Sequence, residues 1–242
     1  LNAETYDRSF EPIHHNNFSF QQKQEKRPPA EIHLNENSDC KRVIAYLCKT
    51  RGLDYQLISG LIRDGKIAQE TGFGNALFKY FDENGKLVGA EKSGTSTEKK
   101  FKGIEKGSSS EYGFEIVRGK GENALFFESS IDMLSYLQMH SSELNNHRLV
   151  SMMGVKPETV LSVMKRNHIR PENVYLCSDN DTAGNDFADR LRQQYPEMKR
   201  IITPERYKDW NDLLRGIPKE QEIKQEQKEV GNLVIYGNNG VC

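Results

Sequence analysis

The sequence predicts an α/β protein, in which a mainly parallel sheet of four strands with helices on both faces follows a smaller α+β domain. Three observations carry that prediction. Beyond Gly121 short apolar runs alternate with amphipathic stretches, as strand-helix units of a parallel sheet do. Before Lys120 two helical stripes are followed by a hairpin signal, an order that suits α+β packing. Carboxylates stand directly after two of the apolar runs, where an open parallel sheet collects its ligands.

Residues 1–37 mix His14, His15, a Gln/Lys stretch from Gln21 to Lys26 and Pro28-Pro29 without an apolar period, and read as a linker or extended arm. After Ser38 and Asp39, which can cap exposed N–H groups, Val43, Ile44 and Leu47 recur at helical spacing. Arg51-Gly52 interrupts this first helix, and Leu57, Ile58, Leu61 and Ile62 lay a second stripe that ends near Gly65. Residues 76–81 and 86–90 flank Asp82-Glu83-Asn84-Gly85, where Asn-Gly suits a hairpin, and 113–117 reads as one more strand. Residues 38–120 thus form the α+β domain. Over residues 121–216, strands at 124–127, 149–152, 174–177 and 200–202 alternate with helices at 131–139, 157–166 and 183–194. Residues 217–242, rich in Glu, Lys and Gln and then in Gly and Asn, read as a flexible tail.

With 36% hydrophobic and 29% charged residues, the chain has the make-up of a water-soluble protein. It has no apolar run near the roughly 18 residues a bilayer span needs and no secretory layout at its start, so no membrane partner and a cytoplasmic location are expected. Thirty-four basic against 35 acidic residues give a net charge of −1, which leaves nucleic-acid binding to a local patch. The four cysteines lack paired metal spacing and read as buried or free thiols, so no zinc is expected. Leu1 in place of a starting Met reads as a piece of a longer chain.

Glu128 follows the run at 124–127, while Asp179 and Asp181 follow 174–177 within LCSDNDTAG, so all three are expected at one sheet edge. Gathered carboxylates repel one another unless a cation neutralises them. Hard oxygen ligands select Mg²⁺ or Mn²⁺, and magnesium combines a few carboxylates with water and substrate phosphates. Gly184, where the next helix begins, leaves room for backbone to approach a phosphate at the positive helix end. In YKDWNDLL, Lys208 can contact a phosphate or neutralise a carboxylate, and Asp209 can complete a cation's shell. The plainer readings stay open, with the Asp-x-Asp pair capping a helix and Lys208-Asp209 forming a surface turn before the last one. Lys92, Lys99, Lys100, Lys102 and Lys106, interleaved with Phe101, can track a phosphate backbone, or, diluted by Glu91, Glu98 and Glu105, form a solvated loop. Arg51 is either a template contact or a cap on the carbonyls of the first helix.

FFESSIDMLSYL, VSMMGVKPETV, LCSDNDTAGNDFADRL and PERYKDWNDLL together resemble the Toprim domain of DnaG-type primases, topoisomerases and some nucleases, over residues 122–214. By that resemblance Glu128 is the acid of the first motif with Asp132 following on the helix, and Gly154 takes the turn after the second strand. Asp179 and Asp181 fall on the metal-holding pair, and Lys208-Asp209 on the Lys-Asp before the last helix. Ser129 and Val155 stand where the family has Gly and Thr. Upstream, VIAYLCKTRGLDYQLISGLI, NALFKYFDENGKLVGAEKSGTS and FKGIEKGSSSEYGFEI resemble the uncharacterised domain fused to Toprim in proteins of Gram-positive plasmids and integrative elements. At the hairpin's end Ser93 stands where primases carry Arg. The resemblance implies a primase-like nucleotidyltransferase in plasmid or mobile-element replication or transfer, using Mg²⁺ or Mn²⁺, single-stranded DNA or RNA, nucleoside triphosphates and other replication proteins. A metal-dependent nickase or nuclease and a binding module without turnover are the alternatives.

Overall fold

The computed structural model describes residues 32–96 and 100–219; the arm up to residue 31, the tail beyond Lys219 and Lys99 lie outside the described residues. The first apolar stripe forms α1 (Lys41–Ala45) and widens into a π-helical turn at Tyr46–Thr50. Gly52, with φ +71°, then turns the chain through the left-handed region that glycine enters without strain. Asp54 accepts the Leu57 N–H at 2.8 Å and so caps α2 (Tyr55–Arg63), which buries Ile58 and Leu61.

Four antiparallel strands follow in spatial order: β1 (Ile67–Gln69), β2 (Ala76–Phe81), β3 (Leu87–Ser93) and β4 (Lys102–Ile104). The predicted hairpin joins β2 to β3, and the Asp82 carboxylate accepts the Asn84 and Lys86 N–H groups inside its turn. The two outer strands are additions to the prediction, and Lys102, expected in a loop, stands on β4.

The second sheet contains β5 (Phe114–Val117), β6 (Asn123–Phe127), β7 (His147–Ser151), β8 (Val174–Leu176) and β9 (Lys199–Arg200), in the order β5-β7-β6-β8-β9. The last four pair in parallel, as predicted, and β5 closes one edge antiparallel to β7. The sheet therefore has five strands. The strand expected in the α+β half joins this sheet because Phe114 is fully buried there, meeting Phe78 edge to face at 5.4 Å while its strand pairs with β7.

Helices α3 (Ser130–Met139), α4 (Pro157–Arg166), α5 (Thr182–Gln194) and α6 (Trp210–Arg215) cover the second sheet. Alternation along β6 divides the core: Leu125 and Phe127 pack with residues of α3 and α6, whereas Ala124 and Phe126 pack with residues of α4 and α5. Val43, Leu47, Ile58 and Phe78 belong to the same cluster as Leu125 and Phe127, so both sheets share one core. Each such buried side chain contributes about 1.5–3 kcal/mol. Among the described residues no helix is long and apolar enough to cross a membrane.

Candidate active site

Because β6 and β8 are parallel neighbours, with Phe126 opposite Leu176, their carboxyl ends deliver Glu128 and Asp179 to one rim. Glu128 Oε1 accepts the Asp179 N–H at 3.0 Å. Gly184 lies against both: a Cβ there would stand 2.2 Å from the Asp179 carbonyl oxygen and 2.9 Å from Glu128 Oε1. The room that this glycine leaves is filled by the chain's own atoms. Gly154, at φ +104°, donates its N–H to the Glu128 carbonyl at 2.7 Å and holds the turn after β7 against the same segment.

Asp179 is buried, and its Oδ1 has no hydrogen-bond partner among the described residues. Burial, reinforced by the charges of Asp132, Glu128 and Asp209, pushes its carboxyl well above the ordinary range. Glu128 is raised as well, by burial first and by Asp181, against the pull of the Asp179 N–H. Asp181 differs. It caps α5 through the Gly184 N–H at 3.0 Å and meets Lys208 Nζ at 3.2 Å. Partial burial acts upward on Asp181, but these two partners outweigh it and hold the carboxyl below its usual value. Lys208 is raised in turn by that bond. The helix-capping and carboxylate-neutralising readings of Asp181 and Lys208 thus both describe what the side chains do.

Asp209 caps α6 by accepting the Asp212 N–H at 2.7 Å. Its charge acts on Asp132, which is buried on α3, accepts the Asn211 N–H at 3.0 Å and shares a hydrogen bond with the Ser129 hydroxyl. Burial first, and then Asp209, raise the Asp132 carboxyl. Lys102, an exposed residue of β4, acts on this group by its charge from the first sheet. Desolvation alone would depress its ammonium, but Asp132, Glu91, Asp179 and Asp209 outweigh that and hold it above its usual value. The acids therefore form one field on which an exposed lysine of the other sheet also acts.

Other candidates are engaged elsewhere. Lys92 pairs with Glu70 and Glu105, each at 2.6 Å. Arg51 donates to the Tyr46 hydroxyl at 2.8 Å and to Asn211 Oδ1 at 3.4 Å, so its guanidinium bridges to α6 instead of capping the first helix. Lys100 is exposed. Two residues escaped the sequence reading. Arg200 donates to the Asp179 carbonyl at 3.0 Å, to Asn185 at 3.0 Å and to the Ser178 hydroxyl, bracing the acidic loop from behind. Glu91, read as diluting a surface charge, is 4% exposed and faces the first acidic motif. A charged residue within a strand's alternation is the one signal that could have singled out Glu91.

Among the described residues, no group of three or more His, Cys, Asp or Glu side chains stands as a ready-made metal cage. What the rim offers a divalent ion is the Asp179 Oδ1, without a partner among the described residues, and the Glu128 carboxylate that accepts the Asp179 N–H, hard oxygen donors of the class that Mg²⁺ and Mn²⁺ take. The donor set fits such an ion.

Residues 125–214 match the family model described as Toprim-like, and residues 45–121 match that of a protein of unknown function (DUF3991). The chain is 33% identical over 223 residues to the uncharacterized protein pXO2-78 of Bacillus anthracis, a match covering 83% of this chain and 63% of that protein. It is 30% identical over 174 residues to a 65 kDa protein of Zymomonas mobilis, covering 64% of this chain and 29% of that one. The chain thus spans less than two thirds of the length of either curated relative. The primase fragment of the bacteriophage T7 primase-helicase protein superposes with a TM-score of 0.50 at 19% identity, over 73% of this chain and 72% of that one, a likeness of fold.

Proposed function

We propose, for a chain whose residues 125–214 are Toprim-like and follow a DUF3991 region, a Mg²⁺-dependent primase-like nucleotidyltransferase acting on single-stranded DNA in plasmid or mobile-element replication or transfer. The observation that carries this reading is the buried Asp179, whose Oδ1 has no partner among the described residues and whose N–H is bonded to Glu128, in a field that the charge of Lys102 opposes. The fold shared with the T7 primase fragment supports the reaction class, and the pXO2 designation of the Bacillus anthracis relative supports the setting.

Glu128 and Asp179 would hold the ion, in a field to which Asp181 and Asp209 add negative charge. When bound, the ion supplies the positive charge that orients a triphosphate and favours ionisation of an attacking 3′-hydroxyl. The chain's own residues do the rest. Arg200 braces the acidic loop at the Asp179 carbonyl, and Gly184 lets α5 pack against it, so this loop is set before substrate arrives. Lys208, half-exposed on the rim, exchanges Asp181 for a phosphate oxygen. Lys102 offsets negative charge from the first sheet, and Lys100 offers an exposed cation to the template backbone. Gly154 keeps the turn over the first motif free of side chain.

The test is primer synthesis on single-stranded DNA with Mg²⁺ and labelled triphosphates. Product that depends on the ion and disappears in Asp179→Ala supports the reading; no product from the wild type, or undiminished product from the variant, refutes it. One observation favours a second reading, a binding module without turnover: Lys208 already neutralises Asp181 at 3.2 Å, as a built-in counterion would. That reading requires single-strand affinity to survive the joint loss of Asp179 and Asp181.

A further inference from the structure

Glu91 is a buried carboxylate that the proposed chemistry does not use. It sits on β3, in the first sheet, yet among the described residues its side-chain hydrogen bonds reach the second half of the chain. Its Oε2 accepts the Ser130 N–H at 3.0 Å, the Ser130 hydroxyl at 2.5 Å and the Ser151 hydroxyl at 3.0 Å, while Oε1 meets the same Ser130 N–H at 3.3 Å. Ser130 is the first residue of α3, two positions after Glu128. Ser151 ends β7, and the turn it starts returns to Glu128 through the Gly154 N–H. Glu91 therefore grips both segments that hold the Glu128 peptide. A buried carboxylate without a cation directly bonded to it costs stability, which an apolar side chain at this position would avoid.

On the other side, Glu91 is opposite Ile104 of β4, and Ser93 is opposite Lys102. The register puts Glu91, Ser93 and Lys102 on one face of this strand pair, whereas Lys92 turns to the other face, where Glu70 and Glu105 hold it. We infer that Glu91 is a positioning residue that clamps the Glu128 segment to the strand pair that carries Lys102, so that a divalent ion at Glu128 and a single strand at Lys102 each strengthen the binding of the other. The inference deepens the proposed reading and rests on it. Coupling of this kind is reciprocal: the factor by which the strand tightens the ion equals the factor by which the ion tightens the strand.

The probes are Mn²⁺, followed by its paramagnetic resonance signal, and an oligothymidylate, followed by anisotropy, each titrated with and without the other. In the full chain both affinities rise by the same factor of about 5 or more. Glu91→Ala weakens Mn²⁺ about 10–100-fold, as loss of a residue supporting a metal ligand does, and brings the factor close to one. Glu91→Gln, which keeps the shape and an acceptor for the Ser130 N–H, restores most of both. Ser151→Ala, a milder change should the alanine variant fail to fold, lowers the factor part of the way. Wild type that binds no Mn²⁺, or an Asp179→Ala variant that binds it normally, removes the site reading itself. Mn²⁺ binding that is lost in Asp179→Ala but kept, with its full coupling, in Glu91→Ala or Ser151→Ala leaves the site standing and overturns the role given to Glu91.

Discussion

Asp179→Asn should make the metal-free protein more stable at neutral pH. The wild-type carboxyl is buried, lacks a partner at Oδ1 and lies in the field of Glu128, Asp132 and Asp209, so its pKa in the fold is far above that in the unfolded chain. A carboxyl raised in this way destabilises the fold where the unfolded chain would ionise it. Each unit between the unfolded pKa of about 3.9 and neutral pH costs about 1.4 kcal/mol, for a ceiling of about 4 kcal/mol. Side-chain relaxation and water entry bring a realistic figure to about 1–3 kcal/mol. Asparagine keeps the shape and removes this cost, so unfolding should shift upward by roughly 3–10 °C. The advantage should shrink as pH falls toward the unfolded pKa, because both states of the wild type then carry the proton. Calorimetric melts in chelator at a series of pH values measure this, and Mg²⁺ should afterwards stabilise the wild type but not the variant. A variant no more stable than the wild type at neutral pH, or an advantage that does not depend on pH, would refute the reasoning.

Gly184→Ala should destabilise by about 1–3 kcal/mol, although alanine gains about 1 kcal/mol in a helix, because its methyl would fall 2.2 Å from the Asp179 carbonyl; urea titration reads the net sign. Lys208→Gln should cost at most about 1 kcal/mol of stability, since the pair is partly exposed, yet reduce the salt dependence of oligonucleotide binding by about 0.7 in slope if the lysine meets a phosphate. Asn211→Ala should cost about 1–3 kcal/mol in denaturant melts, because it strips the Arg51 carbonyl and the Ser135 hydroxyl of donors at 2.8 and 2.9 Å.

The parallel sheet was legible because each of its main strands is an apolar run followed by a helix, and period-two burial on β6 explains why nearly every residue of that run is apolar. The short outer strands of the first sheet were not legible, since three residues carry no usable period and Lys102 reads as loop. At the site, the meeting of Glu128 with Asp179 follows from β6 and β8 being neighbours, which strand-end carboxylates announce in advance. The partners of Lys92, Arg51 and Asp181 depend on elements distant in sequence, and a one-dimensional pattern does not contain them. Glu91 is the clearest case: by composition it belongs on the surface, and only the packing of two sheets against each other buries it.

The edge strand β5 decides how this protein can be divided for experiment. A fragment begun at Gly121, where the regular strand-helix order starts, would lack the ladder from Phe114↔Ser151 to Val117↔Arg148 and leave one side of β7 bare. Bare strand edges recruit other chains, so such a fragment would oligomerise edge to edge and its behaviour would report the cut instead of the protein. Expression boundaries should therefore fall upstream of Gly113, and preferably ahead of α1, because Val43 and Leu47 pack into the same core as Phe127.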